Sequence, residues 1–534
     1  MKKTLIPFAQ VAQLAKTDIA YATGDPLLQP FYEHQPVLAS FDAIIAKKSA
    51  HDYPRKDLAD LLEEQYKSLP NTGKVLDNIA ALRLESTFTI TTAHQPSLFL
   101  GPLYFIYKAL TAINLAKAVE AKMGGKNRIV PVFVLGSEDH DLEELNKANL
   151  FGKKVLWEPG LTGPVGSMPA ATVAPALEEL QSILGDSPSA KALFERVERA
   201  YSGEKNFAEA TQALLHEFMG NFGLVVINMG SPLLKRHFIP FMRQELFDQP
   251  SFRIVNETIA ELQKAGFKTQ AAPREINLFY LQPGSRERIV HVDGVFKVLN
   301  TELVFSAEAM EAELNTHPER FSPNVLMRPI FQEIILPNLA YVGGGGELAY
   351  WLERKAQFEH FGVPFPMLVR RHSVLWLDKD AEKKLEKFGF SAPAFFDDTD
   401  KLIREYIEKN AAGEVSLAAE VEDLRTLYNK LCEKASLVDP TLEKSLRAEE
   451  VKAISGVQQW ESRLIRAEKQ KHEVTINQIN GLKEKLFPGN GLQERTDNIL
   501  PLLLKYGDAF LSELSTVFEP FDPGFLVLQS DDNQ

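Results

Sequence analysis

Apolar residues recur at steps of three and four near the start of the chain, where Leu58, Leu61, Leu62, Tyr66 and Leu69 fall on one helix face, and residues 1–85 read as largely helical. From Ser86 the texture changes. Residues 86–92 (STFTITT) are β-rich, a turn follows, and a helical run extends from about 103 to 122, closed by Gly124 and Gly125. Residues 129–135 read as a second strand at the distance a crossover helix requires, which predicts a right-handed β-α-β unit with a parallel sheet. A third strand, 224–228, precedes Ser231 and Pro232, an N-cap and first-turn pair. Residues 276–281, 287–292 and 295–299, with Asp293-Gly294 as turn, predict an antiparallel insertion. The α/β pattern then resumes at 325–328 and 336–342, with a helix over 347–361 and a short strand at 366–369.

Beyond Leu377 the pattern is helical again. Leu417, Val421, Leu424, Tyr428 and Leu431 alternate spacings of four and three, a heptad seam broken by Asp439-Pro440. A second long helix reaches about 486 with Val457, Trp460, Leu464, Ala467 and Val474 in similar phase, so two antiparallel coiled-coil arms are expected. After Pro488, Gly489, Asn490 and Gly491 the chain turns apolar (Leu500, Leu503, Phe510) and is expected to return to the core.

Composition changes the picture in three ways. The chain has 534 residues, 45% of them hydrophobic and 25% charged, the balance of a folded globular protein. Lys plus Arg number 59 against 72 for Asp plus Glu, and the net charge of −13 repels phosphate backbones and anionic lipid, so neither nucleic acid nor a membrane is expected as a partner. Cys432 is the one cysteine, which removes intrachain disulfides and cysteine zinc cages. With no apolar run near the roughly 18 residues of a membrane span and an N-terminus that fits a signal peptide poorly, a reducing, cytoplasmic location is expected.

Three segments carry candidate chemistry. The first runs from His94 and Gln95 through Gly101 to Tyr104 and Lys108, where a strand's carboxyl end meets a helix N-terminus, the edge at which open α/β sheets bind ligands. His94 there can donate to developing charge, and backbone N–H groups favour phosphate or carboxylate; the alternative is a turn whose path is set by Pro96, Gly101 and Pro102. The second is Ser137, Glu138, Asp139, His140 and Asp141 after the next strand. A histidine among acids suits proton transfer; the alternative is a solvated acidic helix start. No second histidine stands at ligand spacing, and no metal is expected. The third is Tyr341 followed by Gly343, Gly344, Gly345, Gly346 and Glu347, a strand, four glycines and a helix, which lets a ligand approach the backbone. It is neither a Walker A loop nor a dinucleotide fingerprint, and a flexible connection is the alternative. Arg328, Arg370 and Arg371 add a carboxylate clamp, or surface charge.

In this order, followed by a two-helix arm, these loops resemble the bacillithiol biosynthesis cysteine-adding enzyme family. The likeness is carried by residues 91–108 (TTAHQPSLFLGPLYFIYK), 131–141 (PVFVLGSEDHD) and 328–350 (RPIFQEIILPNLAYVGGGGELAY) and covers essentially the whole chain. It implies a Rossmann-like α/β core similar to nucleotidyltransferases and class I aminoacyl-tRNA synthetases over residues 1–377, with connecting insertions at about 150–222 and 250–322. A coiled-coil arm over 378–488, through which two subunits pair, and a returning segment at 489–534 complete it. It implies a ligase that joins cysteine to the amino group of glucosaminyl-malate, with catalysis by His94, Asp139, His140 or Asp141. Substrate contacts would come from Gln95, Ser137, Glu138, Gln332, Tyr350 and the glycines and arginines above. The analogy makes ATP the candidate activating cofactor, although the sequence has neither a His-x-Gly-His nor a Lys-Met-Ser-Lys-Ser loop. The other reading is a non-catalytic nucleotide or metabolite-binding protein with a coiled-coil scaffold.

Overall fold

The computed structural model describes residues 1–411 and 415–530. They form two units, one of residues 1–9, 14–375 and 492–530 and one of residues 10–13 and 376–491, residues 412–414 excepted.

The first unit is built on five parallel strands: β1 (Thr87–His94), β2 (Arg128–Leu135), β3 (Val225–Asn228), β4 (Asn338–Gly343) and β5 (Met367–Arg370). Their spatial order is β5-β4-β1-β2-β3. The chain builds outward from β1 in one direction and then crosses to the other side with β4, which is the Rossmann order, and β1 and β4 flank the switch point. β1 is buried on both faces, and its threonines and isoleucine are the β-branched residues such a strand favours. Thr92 Oγ1 donates to the Val342 carbonyl at 2.8 Å, tying β1 to β4 near their carboxyl ends. Register places His94 opposite Leu135 and Gly343 opposite Arg370, so the candidate segments leave the sheet along one edge.

Helix α1 (Tyr104–Lys122) follows β1 and is buried over most of its circumference, the mark of a helix inside the core. Its entry is unusual. Phe99 and Leu100 both hold left-handed backbone angles (φ 50° and 66°), and Gly101 follows at φ 59°, ψ −151°. Left-handed non-glycine residues are costly, so neighbours must hold them. The Asn498 side-chain amide donates to the carbonyls of Phe99 (2.9 Å) and Gly101 (2.7 Å), the Tyr201 hydroxyl accepts from the Phe99 N–H (3.1 Å), and the Leu103 N–H donates to the Asp497 carbonyl (2.7 Å). At Gly101 an added Cβ would lie 3.0 Å from Ser97 Cβ in a region only glycine adopts readily. Gly101→Ala is expected to cost about 1–3 kcal/mol, read as a fall in the chemical denaturation midpoint.

Several elements differ from the sequence expectation. The N-terminus begins with a strand, Lys2–Pro7, paired antiparallel with Gly524–Gln529, because its partner lies at the far end of the chain. The inserted hairpin belongs to a five-stranded sheet completed by Val304–Phe305 and Phe321–Pro323. Residues 325–327 form a turn: Asn324 Oδ1 accepts from the N–H groups of Leu326 and Met327, and helix α2 (Arg328–Ile335) starts there with Pro329 in its first turn. The single helix expected over 347–361 is two, α3 (Gly345–Leu352) and Lys355–His360.

In the second unit α4 (Ala418–Val438) and α5 (Leu442–Lys471) form an antiparallel pair, fixed by Arg447 Nη1 on Asn429 Oδ1 (2.6 Å) and the Leu417 N–H on Glu461 Oε1 (3.1 Å). The α4 seam runs through Val421, Leu424 and Tyr428 and then moves to buried Cys432. On α5 the phase shifts after Val457, since Glu461, Ile465 and Glu468 turn inward while Trp460 and Leu464 stay 60% and 39% exposed. The second helix also breaks at His472, and Val474, in the helix Glu473–Leu486 that follows, is exposed.

Candidate active site at the sheet switch point

A cavity of about 700 Å³ opens at the carboxyl ends of β1, β2 and β4. Of the residues singled out from the sequence, His94, Gln95, Tyr104, Ser137, Glu138, Asp139, Arg328, Gly344, Gly346, Glu347, Tyr350 and Arg371 line it. Three loops far apart in sequence meet there because parallel strands deliver their carboxyl ends to one edge.

His94 ends β1. Its Nδ1 lies 2.9 Å from the Gln95 carbonyl oxygen, which can only accept, so Nδ1 carries the proton and Nε2 accepts from the Tyr104 hydroxyl at 2.9 Å. Burial, followed by the nearby Lys108 charge, pushes the imidazole down to about 4 and keeps it neutral. The same region pushes Tyr104 up to about 12, by burial first and then the Glu347 charge. His94 and Tyr104 are therefore a neutral, oriented pair.

Lys108 lies one turn further along α1, fully buried. Its ammonium donates to the Ala93 carbonyl (2.6 Å) and pairs with Glu347 Oε2 (2.7 Å). Glu347 also accepts from the Tyr341 hydroxyl (2.9 Å) and the Gly344 N–H (2.9 Å), so the first turn of α3 is tied to α1 through one carboxylate. Burial raises the Glu347 pKa, but Lys108 and these donors outweigh it and hold the group ionised below the ordinary carboxylate range.

Asp139 is similarly held. Its Oδ2 accepts from the Gln95 amide (3.1 Å) and its Oδ1 from the N–H groups of His140 (2.7 Å) and Asp141 (3.3 Å). Burial works against its charge; Arg286 and the Gln95 bond win, and the pKa is lowered. Glu138 pairs with the buried Lys235, and Ser137 Oγ donates to Asn228 Oδ1 at 2.7 Å, joining β2 to β3. Arg328 donates to the Tyr350 hydroxyl (3.2 Å). Arg371 reaches Glu494 Oε1 (2.8 Å) and the His372 carbonyl (2.7 Å), with its guanidinium 5.3 Å from the Tyr104 ring.

The other named residues stand outside the lining. His140 is half-exposed and accepts from Arg286 Nη1 at 3.1 Å; Asp141 is exposed. Lys108 and Tyr341 lie behind the wall, acting on Glu347. Gln332 is buried, its amide donating to Thr91 Oγ1 (3.1 Å) and Glu333 Oε1 (3.0 Å). Arg370 forks onto Asp18 (2.7 and 2.9 Å). Gly345 backs onto the same aspartate, where a Cβ would fall 2.0 Å from its Cγ. Gly343 and Gly101 shape the backbone behind the lining.

Sequence reasoning missed four arginines, Arg274, Arg286, Arg288 and Arg495, and one acid, Glu144, that also line the cavity. The signal for two of them was present: Arg286 and Arg288 alternate on the strand Ser285–Val292 and so share a face. The cavity lining thus combines arginines from several elements with acids at the end of β2, and Arg286 lies beside Asp139.

These titrations fix a pH response. His94 is less basic folded than unfolded, so its contribution is full above about 6.5 and is lost as pH falls toward 4; Asp139 and Glu347, held low, lose theirs as pH falls below about 4. Melting temperature is expected to fall in both windows, and His94→Gln to flatten the upper one.

Comparison with known proteins agrees with this architecture. The model for "Bacillithiol biosynthesis BshC, N-terminal Rossmann-like domain" matches residues 1–372, and that for "Bacillithiol biosynthesis BshC, C-terminal coiled-coil domain" matches residues 374–530. Proteins named "Putative cysteine ligase BshC" are similar over nearly their whole length. That of Flavobacterium johnsoniae is 39% identical over 94% of each chain, that of Christiangramia forsetii 36% over 99% of each, and that of Cytophaga hutchinsonii 36% over 96% of this chain and 95% of its own. With both domain models matched in order and relatives aligned from end to end, the chain belongs to the bacillithiol biosynthesis BshC family.

Proposed function

We propose that this chain is a ligase that forms an amide between the carboxyl group of cysteine and the amino group of glucosaminyl-malate, giving bacillithiol. The observation that carries the reading is the cavity, lined by acids and arginines together, at the switch point of a chain in this family. Glu144 suits an ammonium group, and the lining arginines suit the carboxylates of malate, which planar guanidinium groups bind bidentately. The neutral His94–Tyr104 pair lines the same cavity, and with its O–H given to His94 the Tyr104 oxygen is left to accept a hydrogen bond from an ammonium group. The protein incubated with glucosaminyl-malate, cysteine and ATP is expected to yield a species whose mass is the sum of the two substrates less one water. Absence of that mass from every combination, with the protein binding the sugar or ATP unchanged, would reverse the reading in favour of a binding protein.

A second copy is proposed to cover the apolar face of the arm, where Trp460 and Leu464 stand exposed on successive turns of α5 and Val474 is exposed in the helix that follows. Sedimentation is expected to give a dimer, and Trp460→Glu with Leu464→Glu a monomer. Among the described residues no helix is long and apolar enough to cross a membrane.

A further inference from the structure

We propose that Glu144 is the catalytic base of this reaction, taking the proton from the substrate's ammonium group so that the freed amine can attack the cysteinyl carboxyl carbon. The inference rests on the ligase reading above and names the group that does its proton transfer.

Four carboxylates line the cavity, and three are already engaged. Glu138 is paired with Lys235; Asp139 takes donors on both oxygens and faces Arg286; Glu347 is bound by Lys108, Tyr341 and the Gly344 N–H. A carboxylate whose lone pairs are filled and whose charge is stabilised is a poor base. No hydrogen bond or ion pair among the described residues reaches the carboxylate of Glu144, which leaves its lone pairs free for a substrate.

Its position is set by the fold. The one-turn helix Leu142–Leu145 follows β2 and is pinned by the buried Leu145, leaving Glu144 on the rim. Glu144 lines the same cavity as the His94–Tyr104 pair, and its charge helps to raise the phenol, after Glu347 and against Arg371 and Arg495. The charges that act on Glu144 itself are those of Asp141, Asp139 and Lys147; partial burial of the carboxylate first, then the two acids, raise its proton affinity, with Lys147 opposing. That direction suits a base that must hold a proton taken from an amine.

The step balances. One proton passes from R–NH3⁺ to the carboxylate, giving R–NH2 and a carboxylic acid. The amine lone pair then forms the C–N bond to the cysteinyl carboxyl carbon, supplied as a mixed anhydride with phosphate made from a nucleoside triphosphate. The C–O bond to the phosphoryl oxygen breaks, that oxygen leaves with the electron pair, and the second amine proton goes to solvent.

The test is the pH profile of product formation by the full-length protein and by Glu144→Gln, Glu144→Asp and Asp139→Asn. Glu144→Gln is expected to lower kcat near neutral pH by roughly 10²–10⁴-fold with the KM for the amine within about threefold, and to replace the parent's acid limb by one displaced to higher pH that follows the amine's own titration. Its rate should recover in part at high pH, where the amine is already neutral, and Glu144→Asp should keep the limb. Glu144 stands at the surface of the cavity mouth, so its two variants are expected to melt as the parent does. Glu144→Gln within about threefold of the parent with its acid limb intact, or an acid limb abolished by Asp139→Asn and kept by Glu144→Gln, would overturn the assignment. A parent protein that forms no amide product would overturn the ligase reading and the base with it.

Discussion

Replacing Lys108 by methionine is expected to destabilise the protein by about 3 kcal/mol and to lower turnover at least tenfold. The side chain is fully buried, and methionine fills much of the same volume, so the loss is electrostatic. Glu347 would lose its counter-ion while keeping only the Tyr341 hydroxyl and the Gly344 N–H. Removing one partner of a buried pair costs about 3–5 kcal/mol, and the lower figure applies because Glu347 retains some contact with the cavity. The turnover loss follows from position, since the carboxylate fixes the first turn of α3 against α1, and a shift of about 1 Å in such a contact is worth roughly 10²-fold. The double variant Lys108→Met with Glu347→Gln should regain most of the stability and little of the activity. If the single and double variants melt alike, the pair is not what holds these helices.

Arg371→Met is the second large effect, expected at about 3–5 kcal/mol. Arg371 and Glu494 are both buried, and Glu494 also accepts from the Val374 N–H at 2.9 Å. The guanidinium reaches Glu494, the His372 carbonyl and Ser373 Oγ together, a fan that a single ammonium cannot reproduce. Arg371→Lys should therefore recover less than half of the loss in urea denaturation. Full recovery would mean that charge alone matters there.

The parallel strands were legible because each is a short β-branched run bounded by turns, and the three loops that follow them were legible because strand ends are where such sheets place ligands. What could not be read was pairing between distant residues. Nothing local to Lys108 announces Glu347, which it meets only once β4 lies beside β1, and nothing local to Arg371 announces Glu494, which comes from a segment more than a hundred residues further along the chain. Residues 325–328 misled because Val325, Leu326 and Met327 look like a strand, while the deciding element was one side chain, Asn324, capping the turn. The arm misled in phase for a similar reason. Trp460 and Leu464 fit a heptad by spacing, but Glu461 answers the bare N–H of Leu417 at the start of α4 and draws its own face inward. Glu144 was overlooked because its neighbours Asp139, His140 and Asp141 drew the attention that free lone pairs deserved.

The left-handed turn at Phe99, Leu100 and Gly101 depends on Asn498, a residue the ribosome adds long after β1 and α1 have emerged. A growing polypeptide can assemble its sheet early, yet the entrance to α1 stays unlatched until the segment carrying Asn498 leaves the exit tunnel. Premature stop codons late in the gene would thus yield chains with their parallel strands complete and their ligand cavity malformed.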